Sequence, residues 1–179
     1  LTLALGTGSV TPAQLVGAYS VFANGGYSVE PYLIARIVDG NGKIISEAKP
    51  RTTLPDEARV LDPRNVYVTD SLMRQVTRTG TGAAVARLGR PDLAGKTGTT
   101  NDSFDAWFAG SQAKIVGIAW IGFDQPKNLG NRETGGGLAL PIWRGFMQKA
   151  LKDIPIEERP VPNGIISVNG DFYYAENLP

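Results

Sequence analysis

The sequence contains no cysteine and no histidine. Without cysteine, the chain can form neither a disulfide framework nor a thiolate nucleophile. Without histidine, it cannot build a Ser-His-Asp triad or a histidine-ligated zinc site, and it lacks the commonest general base. Lysine, tyrosine, aspartate and glutamate remain for proton transfer, so a lysine-assisted acyl transfer is compatible with this composition.

Strong charge and long apolar runs are missing as well. The 18 Lys and Arg residues nearly balance the 17 Asp and Glu residues, which argues against a nucleic-acid surface built on bulk charge. The longest apolar runs, such as residues 115–123, are too short to span a bilayer. With 179 residues, of which 42% are hydrophobic, the chain suffices for one globular domain. Because the sequence starts at Leu1 without a signal peptide, we expect this chain to be part of a longer protein. Residues 1–8 would then be the end of a secondary-structure element that begins upstream.

The most distinctive stretch is residues 94–102, which combines a lysine, several hydroxyl groups and two glycines. The glycines leave backbone peptide groups unshielded, so that another chain or a ligand can come close. Lys96 adds a positive charge, and Thr97 and Thr99 would project from the same face of a strand. Such a stretch suits binding an anion better than filling a core.

Three interpretations of this stretch are open. A phosphate-binding loop would need a glycine five positions before Gly95, where Arg90 stands, and a helix after it, where turn residues follow. The Lys-Thr-Gly element also occurs in serine acyl-transferases that act on D-Ala-D-Ala peptides and β-lactams, together with Ser-x-x-Lys and Ser-x-Asn elements. A third possibility is a lysine on an edge strand followed by a polar turn.

Capping signals and helical spacing predict three helices. They begin at Thr11, with Gln14 completing a capping box, at Asp62, and at Pro141. The first ends at residues 24–26 and the second at 80–82, where a helix end with a tight turn is favoured over a ligand loop. The third predicts a core stripe formed by Trp143, Phe146, Met147 and Leu151.

Alternating apolar residues and turn signals predict the strands. Residues 32–38 and 43–46 form a hairpin, and residues 165–174 a small edge ribbon. Strands over 92–100, 106–110 and 114–123 have short joins, including residues 111–113, so they are antiparallel neighbours. This order places the Lys96 strand beside Trp107 and Phe108. The glycines at 135–137 are a plain connector or a lip over a groove, and the connector is favoured.

Several motifs occur together in an order that is more specific than the tripeptide alone. They are Thr11-Pro12 through Phe22-Ala23-Asn24-Gly25-Gly26-Tyr27, Thr79-Gly80-Thr81-Gly82, Leu93-Ala94-Gly95-Lys96-Thr97-Gly98-Thr99-Thr100-Asn101-Asp102, Asp105-Ala106-Trp107-Phe108 and Glu133-Thr134-Gly135-Gly136. The combination resembles the C-terminal half of the transpeptidase domain of class A, bifunctional penicillin-binding proteins. The resemblance implies an α+β fold with a central antiparallel sheet and helices on both faces, of which this chain is the C-terminal portion. Residues 1–152 would belong to that domain and residues 153–179 would form a proline-rich tail.

The same resemblance implies roles for four residues. Lys96 would supply positive charge to the active site and to its proton network, and the Thr97 and Thr99 hydroxyls would bind the substrate or antibiotic carboxylate. The Thr99 N–H would be one of two oxyanion-hole donors. Gly98 would keep the edge bare, so that the substrate lies along it like an added strand. Lys96 and Thr99 are thus the expected catalytic residues, and no cofactor or metal is expected.

In the resembling family, a serine is acylated by the D-Ala-D-Ala end of a peptidoglycan stem peptide, and an amine of a neighbouring stem then takes the acyl group. The expected partners are therefore stem peptides and β-lactams, and no nucleic acid. The whole protein would carry a glycosyltransferase domain and would be anchored, through a segment absent from this chain, on the periplasmic face of the cytoplasmic membrane.

The nucleophilic serine is harder to place. Three stretches match the Ser-x-x-Lys or Ser-x-Asn pattern, but their predicted structural context is unsuitable. They are Ser46-Glu47-Ala48-Lys49, Ser111-Gln112-Ala113-Lys114 and Ser167-Val168-Asn169. The chemistry needs a serine at a buried helix start with lysine one turn on. Ser46 ends a hairpin strand, Ser111 lies in a predicted strand connection, and Ser167 follows the Lys-Thr-Gly strand instead of preceding it. We therefore expect these to be surface coincidences, the true elements to lie on upstream polypeptide, and this chain alone to be inactive.

Two other functions share these motifs. A D,D-carboxypeptidase or β-lactamase would pass the acyl group to water, and it has the same Lys-Thr-Gly strand. A non-catalytic wall-binding scaffold could have kept the strand and lost the serine. The upstream sequence would distinguish the scaffold from an enzyme, because a scaffold would lack the Ser-x-x-Lys element in that sequence.

Overall fold

The structure is a computed structural model that describes residues 6, 8–50 and 54–177. Its helices are α1 (Pro12–Ala23), α2 (Pro63–Thr79) and α3 (Leu140–Ala150), and its strands are β1 (Arg36–Val38), β2 (Ile44–Glu47), β3 (Ala94–Thr99), β4 (Ala106–Gln112), β5 (Ile115–Ile121), β6 (Ile165–Val168) and β7 (Asp171–Tyr174). The element end expected at residues 1–8 lies outside the described residues, except for residues 6 and 8.

The central sheet has the order β3-β4-β5, and both pairs are antiparallel as predicted. Gly98 pairs with Trp107 and Thr97 with Phe108, so the Lys96 strand lies where the sequence placed it. The predicted connection at residues 111–113 is wrong, because β4 continues to Gln112. The polar Gln112 can end a strand because its buried side chain donates to Asp92 Oδ2 (3.1 Å) and accepts from the Lys114 N–H (2.9 Å).

One face of the sheet packs against α3 around Trp143. The indole ring lies 4.8 Å from the Phe108 ring, between ring centres, and its Nε1 donates to the Gly117 carbonyl at 3.0 Å. A Cβ on Gly117 would come within 2.8 Å of that nitrogen, so the glycine allows the ring to lie directly on the strand. The predicted stripe is confirmed for Trp143, Met147 and Leu151, which are buried. It is wrong for Phe146, which is 54% exposed because it lies at the margin of this face, beside β5.

Helices α1 and α2 pack on the other side of the sheet. Asn24, which follows α1, and Asp70 of α2 line a polar cavity together with Ser111. The Ser111 side chain points away from the α3 face because strand residues alternate. Both helix starts are confirmed, with the Thr11 and Gln14 capping box around α1 and Asp62 as the N-cap of α2. The α+β class with helices on both faces is therefore observed.

Two small hairpins complete the described part of the chain. The strand β1 is shorter than predicted, since residues 32–35 are not in a strand, whereas β2 is shifted by one residue from the predicted 43–46. Every residue of both strands is exposed. The ribbon at residues 165–174 is confirmed as β6 and β7, but it forms a separate sheet instead of extending an edge. It packs on α2 through Tyr67 and Phe172, whose ring centres are 5.0 Å apart. Within the described residues, no helix has the length and apolar content needed to cross a membrane.

Candidate active site

The outer edge of β3 is open in the part of the chain that the structure describes, since β3 pairs only with β4 there. The Thr100 N–H donates to the Asp105 carbonyl across the ladder at 3.1 Å. Backbone groups of alternate residues point to opposite sides in an antiparallel pair, so the Thr99 N–H and the Thr97 carbonyl face outward. Lys96 Nζ donates to that Thr97 carbonyl at 2.9 Å, which places the ammonium group at the same edge.

The two threonine hydroxyls lie on one face of β3, as the spacing predicted, and each has a partner from another element. Thr99 Oγ1 accepts a hydrogen bond from the Gly135 N–H at 3.0 Å. Thr97 Oγ1 lies 2.7 Å from Thr81 Oγ1. The structure therefore brings together Lys96, the two threonines, Thr81 and Gly135 around one edge.

Thr81 lies at the candidate site, although a tight turn was favoured over a ligand loop at residues 80–82. The tight turn predicted after α2 is confirmed, since the N–H groups of Gly80 and Gly82 both donate to the Val76 carbonyl, at 3.0 and 3.2 Å. The same turn also carries the Thr81 hydroxyl to β3. No local pattern in the sequence indicates this contact, because Thr81 and Thr97 are 16 residues apart.

The glycines at 135–137 are not a plain connector. Residues Gly135–Ala139 form a helical turn that leads into α3, and Thr134 Oγ1 caps it by accepting from the Gly137 N–H at 3.1 Å. Gly135 rests directly on the paired backbones of Gly98 and Trp107, where a Cβ would overlap both carbonyl oxygens. A glycine is required at this position because two backbones come closer than a side chain allows.

The start of β3 is fixed by a buried ion pair. Arg90 donates to both carboxylate oxygens of Asp92, at 3.0 and 2.7 Å, and the Asp92 side chain is fully buried. The Glu157 N–H also donates to Asp92, at 3.1 Å. Burial by itself would raise the pKa of Asp92, but these hydrogen bonds and that from Gln112 hold it below its usual range. The strand that carries Lys96 is thereby anchored to the segment after α3.

None of the three serines that match the Ser-x-x-Lys or Ser-x-Asn pattern lies in a helix. Ser46 is exposed in β2, and Ser167 lies in β6 with Asn169 in the following turn at a φ of 53°. Ser111 differs from the expectation of a surface residue, because it is 3% exposed within β4. It lines the polar cavity formed with Ala23 at the end of α1 and with Asp70 and Arg74 in the middle of α2. Of the residues described, no group of three or more His, Cys, Asp and Glu is arranged to hold a metal.

An antiparallel sheet with a Lys-Thr-Gly edge strand and helices on both faces is the arrangement of the serine acyl-transferases that act on D-Ala-D-Ala peptides and β-lactams. The chain belongs to the family described as penicillin binding protein transpeptidase domain, whose model matches residues 1–148.

Individual relatives narrow the similarity further. The chain is 43% identical to penicillin-binding protein 1A of Neisseria lactamica over 99% of its length, and 40% identical to penicillin-binding protein 1A of Pseudomonas aeruginosa over 95%. It spans only 22% and 26% of those two relatives. The crystal structure of penicillin-binding protein 1A from Haemophilus influenzae superposes with a TM-score of 0.87 at 31% identity, covering 97% of this chain and 33% of that one.

Proposed function

We propose that this chain supplies the Lys-Thr-Gly half of the active site of a peptidoglycan D,D-transpeptidase that also reacts with penicillins. The observation that carries the proposal is the open edge of β3. An outward N–H of Thr99, the Lys96 ammonium and two hydroxyls converge there, and a peptide with a terminal carboxylate could align along such an edge as an added strand.

In the proposed reaction, a serine oxygen attacks the carbonyl of the penultimate D-Ala, and the resulting tetrahedral oxyanion collapses to an acyl-serine. The C–N bond to the terminal D-Ala breaks, and the departing amine takes a proton. An amine of a second stem peptide then attacks the ester, forms the new amide and releases the serine. Penicillins follow only the first half, because the opened ring remains attached.

Lys96, Gly98 and Thr99 of β3 each have a role in this scheme. The Thr99 N–H stabilises the oxyanion, and Lys96 lowers the energy of anionic groups and supports the proton network. Because the Gly135 N–H occupies a lone pair of Thr99 Oγ1, the hydroxyl proton of Thr99 stays available to donate to a carboxylate, which only accepts. Gly98 leaves the edge clear for the substrate backbone.

The serine is proposed to lie on polypeptide upstream of Leu1, together with the Ser-x-x-Lys and Ser-x-Asn elements. Two observations support this. The chain spans 22% of the length of its Neisseria relative, and its own serines that match these patterns lie outside helices. In this proposal residues 1–152 complete the transpeptidase domain and 153–179 form its tail. The whole protein acts on the outer face of the cytoplasmic membrane and carries a glycosyltransferase domain elsewhere.

The oxyanion role is tested by comparing Thr99→Pro with Thr99→Ala in the protein that includes the upstream part. Both variants lose the hydroxyl, but only proline removes the N–H, and an outward-facing edge position tolerates proline because no ladder bond is broken. We expect Thr99→Pro to be acylated by a penicillin about 10²–10³ times more slowly than Thr99→Ala. Equal rates, with matched melting temperatures, would contradict the assignment.

A further inference from the structure

The contact between Thr81 and Thr97 is not needed to build the turn that ends α2. That turn is already held by the bonds from the Gly80 and Gly82 N–H groups to the Val76 carbonyl and by the bond from the Ala83 N–H to the Gly80 carbonyl at 3.0 Å. Thr81 is itself exposed, so its side chain does not fill the core. Its hydroxyl nevertheless lies 2.7 Å from Thr97 Oγ1.

The direction of this hydrogen bond follows from counting protons. A threonine hydroxyl has one proton and two lone pairs, whereas a carboxylate has only lone pairs. If Thr97 is to donate to a bound carboxylate, its single proton is committed, and it can interact with Thr81 only as an acceptor. Lys96 Nζ, at 3.4 Å, also donates to Thr97 Oγ1, since an ammonium has no lone pair. Thr97 would then accept twice and donate once.

We propose that Thr81 is a positioning residue that donates its hydroxyl proton to Thr97 and so holds the Thr97 hydroxyl as a donor toward the carboxylate of the substrate or antibiotic. This inference rests on the proposed function. A donor chain from Thr81 through Thr97 to an anion strengthens the last bond, because each donor in the series polarises the next.

The surroundings of the pair fit this role. A Cβ on Gly136 would lie 3.2 Å from the Thr81 carbonyl oxygen and 3.8 Å from Thr97 Cγ2, so the backbone of the glycine turn lies close to both residues. Thr97 is half-buried while Thr81 is exposed, so the pair extends from the rim of the site inward. The pair is thus arranged before a ligand arrives.

The test is the second-order rate of acylation of the longer protein by benzylpenicillin and by its methyl ester, in which the carboxylate is masked. We expect Thr81→Val, which removes the hydroxyl but keeps the shape, to slow acylation by benzylpenicillin about tenfold. The ester should react at an unchanged rate. Thr81→Ser should restore the reaction with the acid, since it restores the hydroxyl. Thr79→Val is the matched control, because among the described residues the Thr79 hydroxyl forms hydrogen bonds only with Gln75.

A Thr97→Val background distinguishes this inference from the proposed function. In that background, adding Thr81→Val should not change the rate of acylation by either compound, because Thr81 acts on the carboxylate only through the Thr97 hydroxyl. If Thr97→Val abolishes the preference for the acid while Thr81→Val leaves it intact, the role of Thr81 is wrong and the proposed function stands. Equal slowing of acid and ester by Thr81→Val, without rescue by serine, also overturns it. If the unaltered protein is not acylated at all, the proposed function itself fails.

Discussion

Asp92 shows how a single buried charge holds the strand that carries the candidate site. Its carboxylate has no exposed surface, and it receives hydrogen bonds from Arg90, Gln112 and the Glu157 backbone. Removing one partner of a buried ion pair is costly because the other charge stays buried without compensation. The position lies four residues before Lys96, so a loss of order here reaches the site along the same strand.

We expect Asp92→Asn to lower the free energy of unfolding at pH 7 by about 3 kcal/mol. Because the pKa of Asp92 is depressed in the folded state, the stability from its charge is present above the unfolded pKa, near 3.9. It is lost as the pH falls through the lower folded value.

Urea unfolding at pH 7 and near pH 3 measures this difference. The difference in the free energy of unfolding between Asp92→Asn and wild type should be smaller at the lower pH. The exposed Asp153→Asn is the control and should change the free energy by less than about 0.5 kcal/mol. A gap that is the same at both values of pH would show that the charge of Asp92 is not what stabilises β3.

At this scale, part of the site could be predicted from the sequence. Lys96, Thr97 and Thr99 form a local pattern, and strand alternation alone placed both hydroxyls on one face. Thr81 and Gly135 could not be found in this way, because they meet β3 across 16 and 36 residues of sequence. Contacts of that kind depend on how α2 and α3 pack, which no local pattern encodes.

Among the elements, the turn that precedes α3 is the one most tightly fitted to the candidate site. Gly135 touches the backbone of Gly98 and Trp107, and its N–H binds Thr99. The turn is therefore both a cover for β3 and a hydrogen-bond donor to it.

Gly135→Ala should push this turn away from β3, because the added Cβ would overlap two carbonyl oxygens. We expect penicillin acylation to fall at least tenfold and the melting temperature to drop by several degrees, as for a substitution that costs about 2 kcal/mol. The matched control is Gly137→Ala in the same turn, where the nearest atom to a new Cβ is Thr134 Oγ1 at 3.4 Å. If both variants behave like wild type, the turn is not packed on β3 as described.

Helix starts were predictable because capping is local. Thr11 and Asp62 cap within three residues, so sequence spacing suffices. The end of β4 was not predictable, since Gln112 reads as a turn residue until Asp92, 20 residues away, supplies its partner. Phe146 was misassigned for a similar reason: its helical spacing fits the core stripe, but the sheet does not extend far enough to cover it.

At the scale of the whole molecule, the proposed function requires residues that the described part of the chain does not supply. The described residues include the Lys-Thr-Gly edge strand, the threonine hydroxyls and their hydrogen-bond partners. The serines that match the Ser-x-x-Lys or Ser-x-Asn pattern lie in strands, not at a helix start. The match with the Haemophilus influenzae structure covers 97% of this chain but only 33% of that one. The proposed function therefore places the remaining chemistry on upstream polypeptide.

The most direct measurement is intact-mass spectrometry of the protein with its upstream part after incubation with benzylpenicillin, followed by peptide mapping of the adduct. The proposal predicts a mass increase equal to one antibiotic molecule, located on a serine that precedes Leu1. An adduct on Ser46, Ser111 or Ser167 would contradict the assignment of the nucleophile to upstream polypeptide. A protein that gains no mass would contradict the transpeptidase proposal itself.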